Sequence, residues 1–264
     1  MEKSIKIGIA TYSVTSDDQY LASVGDEFEP AMAKLYAQLI PSNVVVADIG
    51  ANIGLTSLLF SQRASRVYAF EPSPTTSRIL MHNLSKNHVT NVVPVNLGLG
   101  ECERSSSLIY ATNNRSGAHV SQHTDNLTNH INETVQITTL DRFCASEQID
   151  PAFLKMDVEG FERNVILGGE KLLARRKPTV VLECNHFCLN VLQNITLPDF
   201  FSFLRERFPV LMAVDADTGS FADIHDKNIS RSVMYEHVVN NKFCNIVAGF
   251  KHEIKEQVYQ LRVP

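Results

Sequence analysis

Short apolar runs rich in Val, Ile and Ala alternate with longer amphipathic segments along much of the chain. Residues 44–48, 66–70 and 92–96 are three such runs, and their composition is typical of buried strands. Between them, residues 55–61 and 73–87 have the apolar spacing of helices. Buried strands that alternate with helices are typical of a mostly parallel sheet with helices on both faces. The pattern therefore predicts an α/β fold.

The alternation stops in the middle of the chain and then resumes. Residues 98–139 are rich in Ser, Thr and Asn, and we interpret them as a polar insertion with short strands at 108–111 and 135–139. We predict one domain over residues 1–264, made of a lead-in at 1–42 and a core at 43–264. The remaining predicted elements are a helix at 31–40, strands at 153–157, 178–183, 210–214 and 244–250, and helices at 161–175 and 198–207.

The charge and cysteine content of the chain limit its possible partners and its cellular compartment. Lys and Arg number 24 against 29 Asp and Glu, and no long basic run occurs, which argues against nucleic acid or an anionic membrane as a partner. No stretch approaches the roughly 18 apolar residues of a membrane span. The five cysteines are odd in number and scattered, which favours reduced thiols. We expect a cytoplasmic protein without a membrane span.

Polar residues cluster directly after the predicted strands. In an open parallel sheet, ligands bind outside the carboxyl ends of the strands. Gly50 and Gly54 interrupt the first strand–helix junction and allow a tight turn. Glu71 ends the next strand, at the spacing where an acid binds ribose hydroxyls. These features together favour an adenosine-containing ligand.

The charge of the first turn distinguishes between adenosine cofactors. The turn lacks the Gly-x-Gly-x-x-Gly pattern and begins with the acid Asp48. A pyrophosphate prefers helix N-terminal amides without a nearby carboxylate, whereas the sulfonium and ammonium of S-adenosylmethionine tolerate one. We therefore favour S-adenosylmethionine, and a nucleotide-linked dehydrogenase is the alternative enzyme.

Three segments carry a resemblance to a known family. Asp48-Ile-Gly-Ala-Asn-Ile-Gly54, Ala69-Phe-Glu-Pro72 and Leu154-Lys-Met-Asp-Val-Glu-Gly-Phe-Glu162 resemble the FkbM-type methyltransferases, a family of class I S-adenosylmethionine-dependent enzymes. The resemblance covers roughly residues 29–183. It implies a Rossmann-like three-layer α/β/α sandwich whose sheet has seven mostly parallel strands, the last of them antiparallel. Residues 210–214 and 245–250 would be the last two strands.

The resemblance also implies roles for single residues. Gly50, Ala51, Asn52 and Gly54 would wrap the amino-acid part of the cofactor. The other implied cofactor contacts are Asp48 beside the ammonium, Glu71 on the ribose with Pro72 and Ser73 next to it, Asn96 near the adenine, and Asp157 near the reacting methyl.

The implied reaction is O-methylation of a hydroxyl on a small molecule, such as a sugar, a glycan precursor or a natural product, with S-adenosylhomocysteine as the other product. An alcohol is a weak nucleophile, so the site must accept its proton. His186 and Asp157 are candidate bases, since His186 follows the fifth strand and imidazole titrates near neutral pH. Glu159 is either a third candidate or an acid that favours a helix start, and for Glu162 we prefer the helix start.

Three alternatives remain open at this point. Mg²⁺ could be held by Asp157, Glu183 and Asn185, although we do not favour a metal site. Cys184 and Cys188 flank His186 at zinc-like spacing, but a fourth ligand is missing. A non-catalytic S-adenosylmethionine-binding module is the third alternative.

The polar insertion is the segment that we assign to the acceptor. Arg115 could pair with a phosphate or carboxylate of that molecule, and His119, His123 and His130 lie nearby in sequence. A solvated loop explains the same composition equally well.

Overall fold

An eight-stranded sheet forms the centre of the fold in the computed structural model, which describes residues 1–121 and 129–260. Its strands are β3 (Val45–Ile49), β4 (Arg66–Phe70), β5 (Val92–Val95), β10 (Phe153–Met156), β11 (Thr179–Glu183), β12 (Val210–Asp215), β13 (Ser220–Asp223) and β14 (Asn245–Gly249). Their order is β13-β12-β14-β11-β10-β3-β4-β5. The last strand, β14, runs antiparallel between β11 and β12, as predicted. The predicted count of seven is corrected to eight, because the short β13 pairs with the free edge of β12.

Helices cover both faces of this sheet. Val46 and Phe153 pack into one apolar core, whereas their chain neighbours Ala47 and Leu154 pack into the other, as the two-residue period of a strand requires. The first core includes α2 (Pro30–Leu39), α3 (Leu55–Ser61), α4 (Pro74–Lys86) and α10 (Glu253–Tyr259). The second includes α5 (Leu140–Ser146), α6 (Glu162–Leu167), α7 (Glu170–Arg176), α8 (Leu197–Arg207) and α9 (Lys227–Asn240). None of the helices in the described ranges is long and apolar enough to cross a membrane.

The helix predicted at 161–175 is interrupted. α6 ends before Gly168 and α7 begins after Gly169. A Cβ atom on Gly168 would lie 1.9 Å from the carbonyl oxygen of Gly100. The single helix was therefore wrong, because the backbone approaches a neighbouring segment there more closely than a side chain allows.

The polar insertion folds as a second sheet. Its strands are β6 (Gly98–Leu99), β7 (Arg104–Ala111), β8 (Asn114–Ser121) and β9 (His130–Thr138), in the order β6-β9-β7-β8. The strand predicted at 108–111 lies within β7, and the one predicted at 135–139 overlaps the end of β9 up to Thr138, beyond which Thr139 caps α5. Both observed strands are longer than the sequence suggested. Leu108, Tyr110, Val120, Val135 and Ile137 of this sheet form a separate apolar cluster with Phe161, which precedes α6.

The lead-in contains a hairpin that the sequence analysis did not identify. β1 (Glu2–Ile7) pairs with β2 (Ala10–Thr15), and the short helix α1 (Tyr20–Ser23) follows. The Asn83 side chain on α4 bonds the backbone of Thr15 in both directions, at 2.9 and 3.0 Å. The Gln19 amide donates to the Asn113 carbonyl at 3.1 Å. The lead-in is therefore attached both to the core and to the insertion.

Candidate functional site

The Gly-rich turn between β3 and α3 packs against the ends of two neighbouring strands. The backbone amides of Gly50 and Ala51 donate to the Phe70 carbonyl at 3.0 and 2.9 Å. Gly50 has a φ of +81°, and a Cβ atom there would lie 1.8 Å from the carbonyl oxygen of Asp157. Only glycine fits both the dihedral angle and the space, so this residue fixes the turn against β4 and β10.

A buried ammonium group joins this turn to an acid on each side. Lys155 Nζ donates to the Gly50 carbonyl at 3.1 Å and lies 3.2 Å from Asp157 Oδ2 and 3.7 Å from Asp48 Oδ1. Ser57 Oγ donates to the other oxygen of Asp48 at 2.5 Å. Burial alone would lower the pKa of Lys155, but the two carboxylates raise it above its usual value. Lys155 therefore stays charged and holds Asp48 beside the turn.

Glu71 lies at the end of β4 with only 7% of its surface exposed. Its two oxygens accept backbone hydrogen bonds from Asn52 at 3.0 Å and from Ser73 at 2.9 Å. Burial raises the pKa of Glu71 to about 7, although both donors oppose this shift. Each carboxylate oxygen can accept a second hydrogen bond. Glu71 thus has the acceptor capacity for two ribose hydroxyls.

The residues predicted beside Glu71 mainly hold the loop in place. Pro72 lines a cavity that opens beside Glu71. Ser73 is buried and donates to Glu133 Oε2 at 2.5 Å. The Asn96 amide donates to the carbonyls of Glu71 and Pro72 at 2.8 and 2.9 Å, and Asn96 is not among the residues that line this cavity. Direct cofactor contacts by Ser73 and Asn96 stay predictions, whereas their hydrogen bonds give both a positioning role.

A cavity of about 270 Å³ opens beside Glu71. Its polar side chains include those of Asn52, Glu71 and Glu159, and Tyr20 of α1 and Arg115 of β8 also line it. Its apolar wall consists of Phe70, Leu97, Leu99, Leu108, Val120 and Phe161. A cavity that combines apolar side chains with the hydrogen-bond acceptors of Glu71 suits a nucleoside.

A second cavity of about 480 Å³ lies on the other side of the Gly-rich turn. It reaches from the first turns of α2 and α3 to the ends of β12 and β11 and the start of β14. Its aromatic side chains are Tyr20, Phe28, Tyr36 and Phe243, and its carboxyl groups are those of Glu29, Asp157, Glu183, Asp215 and Asp217.

The two cavities meet at Tyr20, Gly50, Asn52, Asp157 and Glu183, which line both of them. The charge of Asp157 and burial raise the pKa of Glu183 far above its usual value. Burial opposes ionisation of Asp157 too, but Lys155 and a hydrogen bond from Glu183 keep its pKa below the usual range. The pair therefore carries one shared proton at the junction between the cavities.

Glu159 lies beside this pair and faces the smaller cavity. Its φ of +52° is unusual for a residue other than glycine. Cys188 Sγ donates to its Oε2 at 3.1 Å. Burial and the charge of Asp157 raise the pKa of Glu159 to about 6. Glu159 is thus a carboxyl group that titrates near neutral pH within the site.

The carboxylates of Asp157, Glu159 and Glu183 are close enough together to be considered as ligands of a metal ion. Oxygen atoms of Asp157, Glu159 and Glu183 lie within 4.8 Å of one another, the one such group of ligand-type side chains within residues 1–121 and 129–260. Lys155 already supplies a positive charge 3.2 Å from Asp157. Asn185, the third ligand predicted for Mg²⁺, accepts a backbone hydrogen bond within its own loop at 3.2 Å. A divalent ion would therefore compete with the ammonium group.

His186 is not one of the residues at the junction. Its ring packs edge-to-face on His237 with centroids 5.0 Å apart, and it lines neither cavity. A catalytic role for His186 stays a prediction that its position does not support. In the described part of the chain, Cys184, His186 and Cys188 do not converge on one point, which removes the basis for a zinc site there.

Arg115 is already paired. Its guanidinium forms a two-pronged ion pair with Asp17, one contact at 3.0 Å, and its backbone amide donates to Asp18 at 2.8 Å. The expected pairing with a phosphate of the acceptor would have to displace Asp17. Arg115 instead fastens the lead-in to the insertion above the smaller cavity. His119 and His130 do not line either cavity, and His123 lies outside the described residues.

Sequence reasoning missed three site residues. Lys155 lies in the segment 154–162 that carries the family resemblance, but no role was predicted for it. It could have been identified as the one charged residue in the otherwise apolar run 153–156, since lysine is almost never fully buried without a partner. Tyr20 and Glu29 reach the site from the lead-in, at positions that no local pattern distinguishes.

Comparison with known proteins agrees with this geometry. The family model of the methyltransferase FkbM domain matches residues 48–211, which run from the end of β3 to the start of β12 and leave out the lead-in, the end of β12 and the C-terminal segment. This chain belongs to the FkbM methyltransferase family. The FkbM match contains the Gly-rich turn, Glu71, the Lys155 network and Glu183.

The curated relatives of this FkbM methyltransferase match over short segments. The methyltransferase sdnD of Sordaria araneosa is 35% identical over 77 residues, 28% of this chain and 30% of that protein. The AMB antimetabolite synthetase AmbE of Pseudomonas aeruginosa is 40% identical over 74 residues, 27% of this chain and 3% of that protein. The chain thus aligns with less than a third of each relative.

Solved structures with a similar chain trace include methyltransferases. The methyltransferase FkbM from Methylobacillus flagellatus is 18% identical with a TM-score of 0.42, over 64% of this chain and 38% of that one. A precorrin-6y C5,15-methyltransferase from Geobacter metallireducens is 14% identical with a TM-score of 0.47, over 95% of this chain and 100% of that one.

Proposed function

We propose that this methyltransferase uses S-adenosylmethionine to methylate a hydroxyl group of a small molecule, such as a sugar, a glycan precursor or a natural product. The observation that carries the proposal is the meeting of two cavities at Asp157 and Glu183. One cavity suits a nucleoside, the other is lined by carboxyl groups, and groups able to accept a proton stand between them.

The smaller cavity supports adenosine as the bound nucleoside. Glu71 would accept hydrogen bonds from both ribose hydroxyls, and the apolar slot around Leu97 and Phe161 would enclose the adenine. The larger cavity begins at the Gly-rich turn, where the acidic walls favour the positively charged amino-acid end of the cofactor. A pyrophosphate here would face Asp157 and Glu183, which counts against a dinucleotide.

The junction supports transfer to an oxygen atom. When bound, the cofactor supplies an electrophilic methyl group on its sulfonium. Asp157 would orient the acceptor hydroxyl and take its proton, while Glu183 holds the shared proton and Lys155 keeps the carboxylate fixed. General-base assistance of this kind is worth about 10²–10⁴-fold in rate. Glu159, with a pKa near 6, is the second group that could accept the proton.

A Mg²⁺-assisted variant rests on the three convergent carboxylates. Such an ion would lower the pKa of the acceptor hydroxyl directly. The ammonium group of Lys155 makes the metal-free arrangement the better fit. Methyl transfer that survives exhaustive chelation and does not respond to added Mg²⁺ would confirm that choice.

The proposed cofactor is tested by thermal unfolding with S-adenosylmethionine, S-adenosylhomocysteine and NAD in parallel. A ligand at 100 times its Kd adds about 2.7 kcal/mol to the free energy of unfolding. We expect both sulfur ligands to raise the Tm of the wild type, with a smaller shift in Glu71→Gln and a normal shift in Glu147→Gln, which alters an exposed glutamate. Stabilisation by NAD alone would overturn the proposal. Binding without turnover across a wide panel of hydroxyl compounds would favour the non-catalytic module.

A further inference from the structure

The larger cavity extends beyond the junction to the loop after β12 and the turn before β14. The Gly-rich turn occupies its other end, so this far end is where an acceptor would bind. The inference below rests on the proposed function, because it assigns the chemical class of that acceptor.

The ionisable side chains of this cavity are strongly unbalanced. Carboxyl groups come from five acidic residues, whereas Lys155 is the one basic side chain among the described residues that line it. That ammonium group is already engaged by Asp157 and Asp48. A phosphate, sulfate or carboxylate on the acceptor would therefore find no free cation and several negative charges.

The imbalance is concentrated at Asp215 and Asp217. Asp215 is 5% exposed, and one of its oxygens accepts the backbone amides of Asp217 and Thr218 at 3.1 and 3.3 Å. Asp217 is exposed at the cavity mouth. Throughout the described part of the chain, no basic side chain lies within ion-pair distance of either aspartate. The far end thus carries two carboxylates without a counter-charge.

The other groups at this end suit a cation. Phe243 presents an aromatic ring, which attracts ammonium groups through its face. Asn241 and Asn245 line the same wall and offer amide oxygens that accept N–H donors. A neutral polyol could donate hydrogen bonds to the two carboxylates but would leave their negative charge unbalanced, whereas an ammonium group supplies both N–H donors and the opposite charge.

We infer that the acceptor is an alcohol that also carries a protonated amine, such as an amino sugar or amino alcohol, and that it has no anionic group. The amine would lie at the Asp215–Asp217 loop between the aromatic and amide walls. The hydroxyl would then point back toward the junction at Asp157 and Glu183.

The test compares three probes on the protein saturated with S-adenosylhomocysteine. Glucosamine, glucose and glucose 6-phosphate share one ring and differ in charge, and their binding is measured by calorimetry at equal ionic strength. We expect glucosamine to bind at least about tenfold more tightly than glucose, the range of one charge-assisted hydrogen bond, and glucose 6-phosphate to show no binding. Asp217→Asn should weaken glucosamine binding by a similar factor and leave S-adenosylhomocysteine binding unchanged.

Asp26→Asn is the matched control, because the Asp26 side chain is fully exposed and lines neither cavity. Equal or preferred binding of glucose or the phosphate, no binding of glucosamine, or an unchanged affinity in Asp217→Asn would overturn the inference. Failure of S-adenosylhomocysteine to bind in the first step would instead overturn the proposed function, so the two failures are distinguishable.

Discussion

Lys155 Nζ and Asp157 Oδ2 lie 3.2 Å apart at the carboxyl end of β10. Two residues separated by one position on a strand point to the same face, so the pair forms as a direct consequence of strand geometry. The same ammonium reaches across to Gly50 and Asp48 on the neighbouring strand and turn. One buried charge thus connects the cofactor turn with the carboxylate that we propose as the base.

Replacement of Lys155 by Met should be strongly destabilising. The variant leaves the fully buried Asp48 and the half-exposed Asp157 without their counter-charge. Breaking a buried pair costs about 3–5 kcal/mol, and solvent screening at Asp157 places the expected loss at the lower end of that range. Urea unfolding should show that loss, while Lys171→Met, at an exposed position, should change stability little. A loss below about 1 kcal/mol, the range of surface pairs, would mean that Asp157 is not held by Lys155.

Asp157→Asn should separate catalysis from binding. The amide keeps the shape of the side chain but cannot take a proton, so we expect methyl transfer to fall about 10²–10⁴-fold. Affinity for S-adenosylhomocysteine should stay within severalfold of the wild type. The same assay on His186→Ala tests the base predicted from the sequence, and we expect nearly normal turnover. A large loss in His186→Ala with an active Asp157→Asn would reverse the assignment.

Cofactor binding should depend on pH through Glu71. Ribose hydroxyls donate to its charged form, and its pKa is about 7, so binding must displace a proton at lower pH. Affinity for S-adenosylhomocysteine should therefore increase with pH, by up to about tenfold per unit below pH 7, and level off above it. Calorimetry on Glu71→Gln should give a weaker affinity with a flat pH profile. A slope that persists in the variant would assign the titration to another group.

The ion pair between Arg115 and Asp17 should influence the cofactor rather than the acceptor. Arg115→Ala and Asp17→Ala each release the lead-in from the insertion above the smaller cavity, so both should weaken S-adenosylhomocysteine binding. Contacting residues show coupling of about 0.5–3 kcal/mol in double-mutant cycles, and the double variant should resemble the single ones. If Arg115→Ala raised only the KM of the acceptor, that result would support the contact between Arg115 and the acceptor that the sequence analysis expected.

Burial of Glu162 should make stability fall as pH rises. Its surface is 1% exposed, and burial raises its pKa to about 8 in the folded state from an ordinary value of 4.5. The folded protein therefore binds more protons than the unfolded chain between these values, and stability is lost across that window by up to about 1.4 kcal/mol per pH unit. Glu71 and Glu159 act in the same direction below about pH 7 and 6.

Glu162→Gln should reduce this slope when unfolding free energies are measured from weakly acidic to weakly alkaline pH. Glu147→Gln is the matched control, because that glutamate is exposed. Identical slopes in wild type and Glu162→Gln would show that Glu162 is ionised in the folded protein at neutral pH.

Local patterns were sufficient for the order of elements and for the cofactor turn. β-branched runs and the Ser73 cap with Pro74 follow from preferences that act over a few residues. Because parallel strands bring their carboxyl ends to one edge, Asp48, Glu71 and Asp157 could be assigned to a common site from sequence. Gly50 was predictable for the same local reason, since a tight turn required it.

Only the tertiary structure decided which groups meet. Glu183 shares a proton with Asp157 because β10 and β11 are neighbours, and His186 turns toward His237 because α9 packs beside it. Arg115 finds Asp17 across nearly a hundred positions, and Asp215 reaches the cavity through the position of β12 in the sheet. Such contacts depend on packing between segments that are remote in sequence. The periodic pattern of apolar residues in the sequence indicates which face of an element is buried, but not which other element packs against that face.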